Sequence, residues 1–248
     1  MPFSIAFAGK GGTGKTTLSG MMVRYLVAKG KTPILAVDAD PNANLNEVLG
    51  LDITDTLGNA REDMKHGNVP PGMTKDMFIS MRMQEAIAET DGFELVVMGQ
   101  PEGTGCYCAA NTILSNFLEK LTDNYAYLVM DNEAGMEHIS RLTTRNVDIL
   151  LVVADTSMRS LQAAVRIWEL SKSLNIGIEK TYLIINRVKE ALPPEAQKYI
   201  EENGIHLIGT IPDDEQVYEY DLSGKATLHL PEDSPSVKAA FDIFNKFF

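Results

Sequence analysis

The stretch "GKGGTGKTT", Gly9 to Thr17, decides how the rest of the chain is read. A glycine, four residues, then Gly14-Lys15-Thr16 is the spacing of a phosphate-binding loop. Its setting is the one such a loop needs: the apolar run "FSIAFAG" precedes it as a strand, and a helical pattern from Thr16 to Lys29 follows, closed by Gly30. Glycines here let successive backbone N–H groups turn inward onto phosphate oxygens, and the helix N-terminus adds partial positive charge. In that arrangement Lys15 reaches the β- and γ-phosphates and the Thr16 hydroxyl ligates Mg²⁺, while Gly11, Gly12, Thr13, Gly14 and Thr17 complete the cradle. A glycine-rich turn without a ligand explains the glycines, but not the lysine together with the strand–helix setting.

Apolar runs recur along the chain: "TPILAVDAD", "ELVVMGQ" (Glu94 to Gln100), "AYLVMDNEAG" from Ala126, "DILLVVAD" from Asp148, "TYLIINRV" from Thr181 and "HLIGTIP" from His206. They are nearly continuous in Val, Ile and Leu, as strands buried on both faces of a parallel sheet must be. Helical patterns at Ser160 to Leu174 and Pro194 to Asn203 lie between them. The alternation predicts an α/β fold with a doubly wound, mostly parallel sheet, a P-loop NTPase. Leu51 to Met77 breaks the rhythm and reads as helix fragments and loop. No repeat, low-complexity tract or long linker divides the chain, so residues 1–248 read as a single domain.

The chain has 248 residues, 44% hydrophobic and 23% charged, which is ordinary for a soluble globular protein. A net charge of −12, with no run of Lys and Arg, argues against non-specific binding to nucleic acid or to an anionic membrane, because like charges repel before contact. Two cysteines make no disulfide framework, so the expected compartment is the reducing cytoplasm. The N-terminus has no basic leader, and no apolar stretch approaches the ~20 residues of a membrane helix. The terminal segment "SVKAAFDIFNKFF" is amphipathic, with Val237, Ala240, Phe241, Phe244 and Phe248 at helical spacing. With only two lysines on an acidic protein, it reads as a helix packed on the sheet rather than on a membrane surface.

Lys10 is the unusual member of the loop. A second lysine in "KGGTGKT" resembles the deviant Walker A motif of the MinD/ParA/iron-protein superfamily of P-loop ATPases. The resemblance implies a homodimer in which Lys10 crosses the interface to the partner's nucleotide and acts as a finger supplied in trans. Asp38 and Asp40 in "VDADPNANL" point the same way, since strand side chains alternate. Alone they read as a common Asp-Pro turn. The superfamily implies more: Asp40 orients or deprotonates the attacking water, and Asp38 supports the magnesium site. It likewise makes Asp131 a Walker B aspartate holding Mg²⁺ through water, with Gly135 sensing the γ-phosphate. Asn186 and Arg187 in "IINRV" read adenine, and Pro212 in "IPDDEQV" helps close the base pocket. The implied nucleotide is ATP rather than GTP.

Both cysteines, Cys106 and Cys108, lie in "QPEGTGCYCAAN", Gln100 to Asn111, in a loop leaving a strand. A disulfide between residues two apart is strained. One pair cannot fill four coordination positions, but two loops meeting on a dimer axis bring four thiolates together. Four thiolates suit zinc in a tetrahedral arrangement and nickel in a square-planar one. "QPEGTGCYC" with "DNEAGMEH" closely resembles the CooC-type nickel-insertion ATPases, accessory proteins for carbon monoxide dehydrogenase and acetyl-CoA synthase. That resemblance implies Ni²⁺, and Zn²⁺ as well, at Cys106 and Cys108 across an ATP-dependent dimer, with one of those two enzymes as client.

Three rivals stand beside it. An electron-transfer ATPase like the nitrogenase iron protein matches Cys106, but has its second cluster ligand where this chain has Ala134. A spatial-positioning ATPase of the MinD kind shares the nucleotide motifs. A zinc-bridged targeting dimer needs a hydrophobic client groove, for which Leu51 to Met83 is the one candidate region. The histidines read as solvated or structural: His66 and His229 in polar loops, His206 at a strand start, and His138 seven residues past Asp131.

Overall fold

A computed structural model describes residues 1–42, 44–65, 69–99, 121–133, 147–173 and 177–248. Among them, eight strands form one sheet in the order β3-β4-β2-β5-β1-β6-β7-β8. The strands are β1 (Phe3–Gly9), β2 (Ile34–Asp38), β3 (Ile87–Glu89), β4 (Glu94–Val97), β5 (Tyr127–Asp131), β6 (Val147–Ala154), β7 (Ile178–Val188) and β8 (Leu207–Pro212). All neighbours are parallel except β3, which runs antiparallel to β4 at one edge. Every parallel strand falls on an apolar run of the sequence. β3 does not, because three residues are too few to show a period; its place comes from a tight turn in which Thr90 Oγ1 accepts from the N–H of Phe93 at 3.0 Å. β4 stops at Val97, short of the expected Gln100, and the backbone turns at Gly99 with φ +67°.

The described helices are α1 (Lys15–Ala28), α2 (Leu45–Leu49), α3 (Leu57–Lys65), α4 (Lys75–Glu85), α5 (Met158–Ser173), α6 (Pro194–Glu202), α7 (Glu215–Leu222) and α8 (Pro235–Phe244). Strand alternation sends β1 side chains to opposite faces. Ile5 and Phe7 meet Leu18, Met22 and Leu26 of α1 and Val237, Ala240 and Phe244 of α8. Ala6 and Ala8 face the other layer, with Leu161 and Ala164 of α5 and Ala196 and Ile200 of α6. Helices therefore cover both faces, which is why the central residues of β1, β2, β5 and β6 are apolar and buried.

The Leu51 to Met83 region joins the second layer: Leu57 and Met83 are buried in that core, while Met77 stays exposed. Arg82 ties the region together, with Nη2 at 2.6 Å from Asp55 and 2.9 Å from Asp63, and Nη1 at 2.9 Å from Glu85.

α8 packs on α1 and β8. Tyr25 of α1 lies edge-on to Phe241 and Phe244 and stacks on Phe248, at ring separations of 5.2, 5.7 and 5.8 Å. The apolar face of the terminal segment is thus occupied by the sheet layer, as the sequence reading expects. No described helix is long and apolar enough to cross a membrane. Because Phe244 is fully buried, Phe244→Ala should lower unfolding stability by about 3 kcal/mol or more, from lost transfer energy plus a residual cavity. Urea unfolding checks this; a loss below ~1 kcal/mol would contradict the packing of α8.

Candidate nucleotide site

β1 ends at Gly9 and α1 begins at Lys15, so the loop between them sits at the C-terminal edge of the sheet, where ligands bind in open α/β folds. Gly14, just before the helix, has φ +90°, and a Cβ there would lie 2.3 Å from Asn186 Nδ2. Only glycine fits. The end of β7 grips the outside of the loop. Asn186 Nδ2 donates to Thr13 O at 2.8 Å, Arg187 Nη1 donates to Gly12 O at 3.1 Å, and the Arg187 N–H donates to Asn186 Oδ1 at 3.0 Å. Arg187 adopts φ +57° to do so. Inside the loop, Thr13 Oγ1 donates to Lys10 O at 2.8 Å, and Lys15 Nζ points at the same carbonyl at 3.4 Å. Lys15 is buried; Lys10 is exposed.

The charges of Asp131, Asp40 and Glu133 act on this lysine, and Asp38 is buried beside Asp131. Asp131, at the end of β5, accepts from Ser19 Oγ at 3.2 Å and from the Thr16 side chain. Asp38, at the end of β2, pairs in register with Asp131 and is fully buried. Its two oxygens accept from the N–H groups of Asp40 at 3.1 Å and Leu45 at 2.9 Å, which fixes the loop from β2 into α2. Half-buried Asp40 accepts from the Asn42 N–H at 2.9 Å.

Burial is the largest influence on each charge. It pushes the Asp38 carboxyl up to about 7, with Asp131 and Asp40 adding to the rise and the Leu45 and Asp40 N–H groups opposing it. It pushes Asp131 up to about 6, against the Thr16 hydroxyl and Lys15. It pushes the Lys15 ammonium down, against Asp131, Asp40 and Glu133.

A cavity of about 1130 Å³ opens over the loop, lined by Gly11, Gly12, Lys15, Thr16, Asp40 and Glu133 among others. A second, of about 560 Å³, lies between Asn186 and the β8–α7 turn; Leu18, Met21, Pro212 and Val217 line it, with exposed Tyr218 at its side. The two share Gly14, Thr17, Val48, Arg187, Asp221 and Thr227. One cavity is polar and glycine-rich, the other partly apolar, and they are joined: the shape suits a phosphate chain and a base.

Among the described residues no three of His, Cys, Asp and Glu lie close enough to hold a metal ion by themselves. Mg²⁺ takes one or two protein oxygens plus nucleotide phosphates, and Thr16 and Asp131 offer such oxygens in hydrogen-bond contact with each other. Carboxyls pushed up chiefly by burial fit it too, since a divalent cation favours their charged form. Thr16 and Asp131 are the residues that would hold it.

The structure therefore brings together Gly11, Gly12, Thr13, Gly14, Lys15, Thr16, Thr17, Asp38, Asp40 and Asp131, with Asn186, Arg187 and Pro212 alongside. Cys106, Cys108, Ala134, Gly135, His66 and His138 lie outside the described residues. The chain heads towards the cysteines from Met98, whose N–H donates to Asp38 O at 2.9 Å, so β4 ends at the nucleotide edge. The sequence reading passes over Glu133, Asp221 and Thr227. Glu133 carried a signal, two residues past Asp131 on the way out of a strand; Asp221 and Thr227 belong to segments with no motif.

Residues 4–228 match the family model of the CobQ/CobB/MinD/ParA nucleotide binding domain. The chain belongs to this family. Relatives include an ATP-binding protein of Methanocaldococcus jannaschii, 39% identical over 246 residues, 98% of this chain and 97% of that one. The carbon monoxide dehydrogenase accessory protein CooC of Rhodospirillum rubrum is 33% identical over 238 residues, 89% of this chain and 87% of that one. In fold the chain resembles the septum site-determining protein MinD of Pyrococcus horikoshii in complex with Mg-ADP, with a TM-score of 0.74, 22% identity and coverage of 100% and 96%. The family match and the loop geometry make this a P-loop ATPase-family, ATP-binding fold of the MinD/ParA kind.

The raised carboxyls carry a pH dependence. A group that binds its proton more tightly folded than unfolded stabilises the fold less as pH rises from its unfolded value through its folded one. For Asp38 that window runs from the ordinary 3.8 to about 7. Relative to wild type, nucleotide-free Asp38→Asn should therefore gain stability as pH rises from about 5 to 8, by on the order of 2 kcal/mol. Thermal unfolding across that range checks it; parallel curves for the two proteins would refute the buried-charge account.

Proposed function

We propose that this ATPase delivers nickel to carbon monoxide dehydrogenase or acetyl-CoA synthase, carrying the ion on Cys106 and Cys108 across a homodimer. The observation that supports this best is the 33% identity to CooC over 89% of the chain, joined to a Cys-x-Cys pair in the loop after β4. Met98, just beyond β4, is hydrogen-bonded to Asp38, so the chain leaves β4 beside the segment that carries Asp40. Linkage follows: a ligand that favours the closed dimer also favours a metal held by both protomers. Zn²⁺ would occupy the same thiolates. The setting is the cytoplasm, the chain acts as one domain, and neither nucleic acid nor membrane is a partner.

ATP hydrolysis drives the cycle. Lys15 and the loop N–H groups hold the β- and γ-phosphates, and Lys10 of the partner subunit adds charge where it builds up on transfer. Asp40 orients the attacking water, Asp38 shapes the segment that carries Asp40, and Asn186, Arg187 and Pro212 bound the base. Bound Mg²⁺ supplies charge neutralisation on the phosphates. The MinD-like positioning reading shares this chemistry; the packing of α8 on α1 and β8 supports the sheet-packed role of the terminal segment over a membrane-surface one.

Cys106→Ala with Cys108→Ala should abolish stoichiometric Ni²⁺ binding in equilibrium dialysis while leaving ATP affinity unchanged. Undiminished nickel affinity in the double mutant would remove the site assignment. Separately, Lys10→Ala should lose ATP-induced dimerisation on size exclusion; a mutant that dimerises like wild type would remove the trans role of Lys10.

A further inference from the structure

We infer that Glu133 is a second carboxylate of the hydrolytic centre, holding the attacking water together with Asp40. This rests on the ATP-hydrolysis reading above. Glu133 lines the same cavity as Lys15, Thr16 and Asp40, and its charge acts on buried Lys15 alongside Asp131 and Asp40. It is half-buried rather than free in solvent.

The two residues before Glu133 are anchored. Asn132, the residue before it, is buried, with Nδ2 donating to Phe7 O at 2.8 Å across to β1. Asp131, the residue before that, accepts on its backbone oxygen from the Ala39 N–H at 2.9 Å. Asp131 and Asn132 are therefore pinned to both neighbouring strands, and Glu133 leaves from that anchor directly into the phosphate cavity.

The chemistry gives such a group work that Asp40 alone cannot do. A water has two O–H bonds, and in-line attack requires its lone pair to face the γ-phosphorus. One acceptor fixes one O–H and leaves the water free to rotate about that bond. Two acceptors fix both, and the lone pair with them, which is the gain of near-attack positioning. In this scheme the water oxygen bonds to the γ-phosphorus as the bond to the β–γ bridging oxygen breaks. ADP leaves with that electron pair. Asp40 takes one water proton and releases it to solvent, while Glu133 accepts a hydrogen bond from the other O–H, which stays on the inorganic phosphate. Glu133 transfers no proton; it orients.

The experiment is steady-state ATP hydrolysis by the full chain at saturating Mg²⁺, comparing wild type, Glu133→Gln and Glu133→Asp. Binding of a fluorescent ATP analogue and a Mg²⁺ titration run in parallel. For Glu133→Gln the expected result is a fall in kcat of about 10-fold, because the amide oxygen still accepts from the water but more weakly than a charged carboxylate. KM for ATP, analogue affinity and the Mg²⁺ half-saturation point should stay within about twofold of wild type, because the interaction forms on the water only. Glu133→Asp keeps the charge on a shorter arm and should recover part of kcat. If Glu133→Gln does not fold, Glu133→Asp decides alone, by a reduced kcat at unchanged KM. Wild-type kcat in the mutants overturns the inference and leaves the ATPase reading standing. So does a shift confined to the Mg²⁺ half-saturation point, which marks an ion-holding role instead. Wild type that hydrolyses no ATP with nickel and client present overturns both.

Discussion

The burial of Lys15 among carboxylates is the constraint on which this site depends. β2 and β5 end side by side in register, so Asp38 and Asp131 are forced together at the edge where the phosphate loop also ends. Taking an ion out of water costs several kcal/mol unless partners replace the water. The protein supplies some of those partners: two N–H groups for Asp38, hydroxyls of Thr16 and Ser19 for Asp131, a carbonyl and nearby negative charge for Lys15. Hydrogen bonds to a charged group contribute about 1.5–3 kcal/mol each, so the compensation is partial. Mg²⁺ and a phosphate chain complete the charge balance, which makes the site an affinity reservoir for that pair of ligands.

The same partners convert charge into shape. Because Asp38 holds the N–H groups of Asp40 and Leu45, the loop between β2 and α2 cannot move without disturbing a buried carboxylate. Met98 and Ala39 tie the β2 end to β4 and β5 through backbone bonds to Asp38 and Asp131. The segment that carries Asp40 is thus joined through Asp38 to Met98 just beyond β4 and through Ala39 to β5.

The base side is organised independently. Asp214 accepts from Ser234 Oγ at 2.5 Å, the Ser236 N–H at 3.0 Å and the Gln216 N–H at 3.1 Å. Burial alone would raise its carboxyl, yet these bonds bring it below the ordinary value. The β8–α7 turn is therefore stapled to the start of α8, and Asp214 and Ser236 of that staple line the smaller cavity. Asn186 and Arg187 join this cavity to the phosphate loop, so base and phosphate cavities share a frame. Their amide and guanidinium groups already serve the loop, leaving Asn186 one N–H and one lone pair for a base.

What the sequence determined by itself was local or periodic. The loop from Gly9 to Thr17 carries its own geometry, because glycine torsions and a following helix are encoded within nine residues. Seven apolar runs announce the seven parallel strands, since burial on both faces demands apolar side chains along the centre of the sheet. The packed α8 was legible from spacing and charge, and the cysteine pair from its rarity. Only the tertiary structure decided what depends on neighbours distant in the chain. It set the register that puts Asp38 beside Asp131, the grip of Asn186 on Thr13, and β3, which exists by pairing rather than by pattern. It also brought Glu133, Asp221 and Thr227 to the cavities. The reason is physical: a motif records contacts between residues close in sequence, whereas a charge's burial and a side chain's aim are set by whatever strand the fold places next to it.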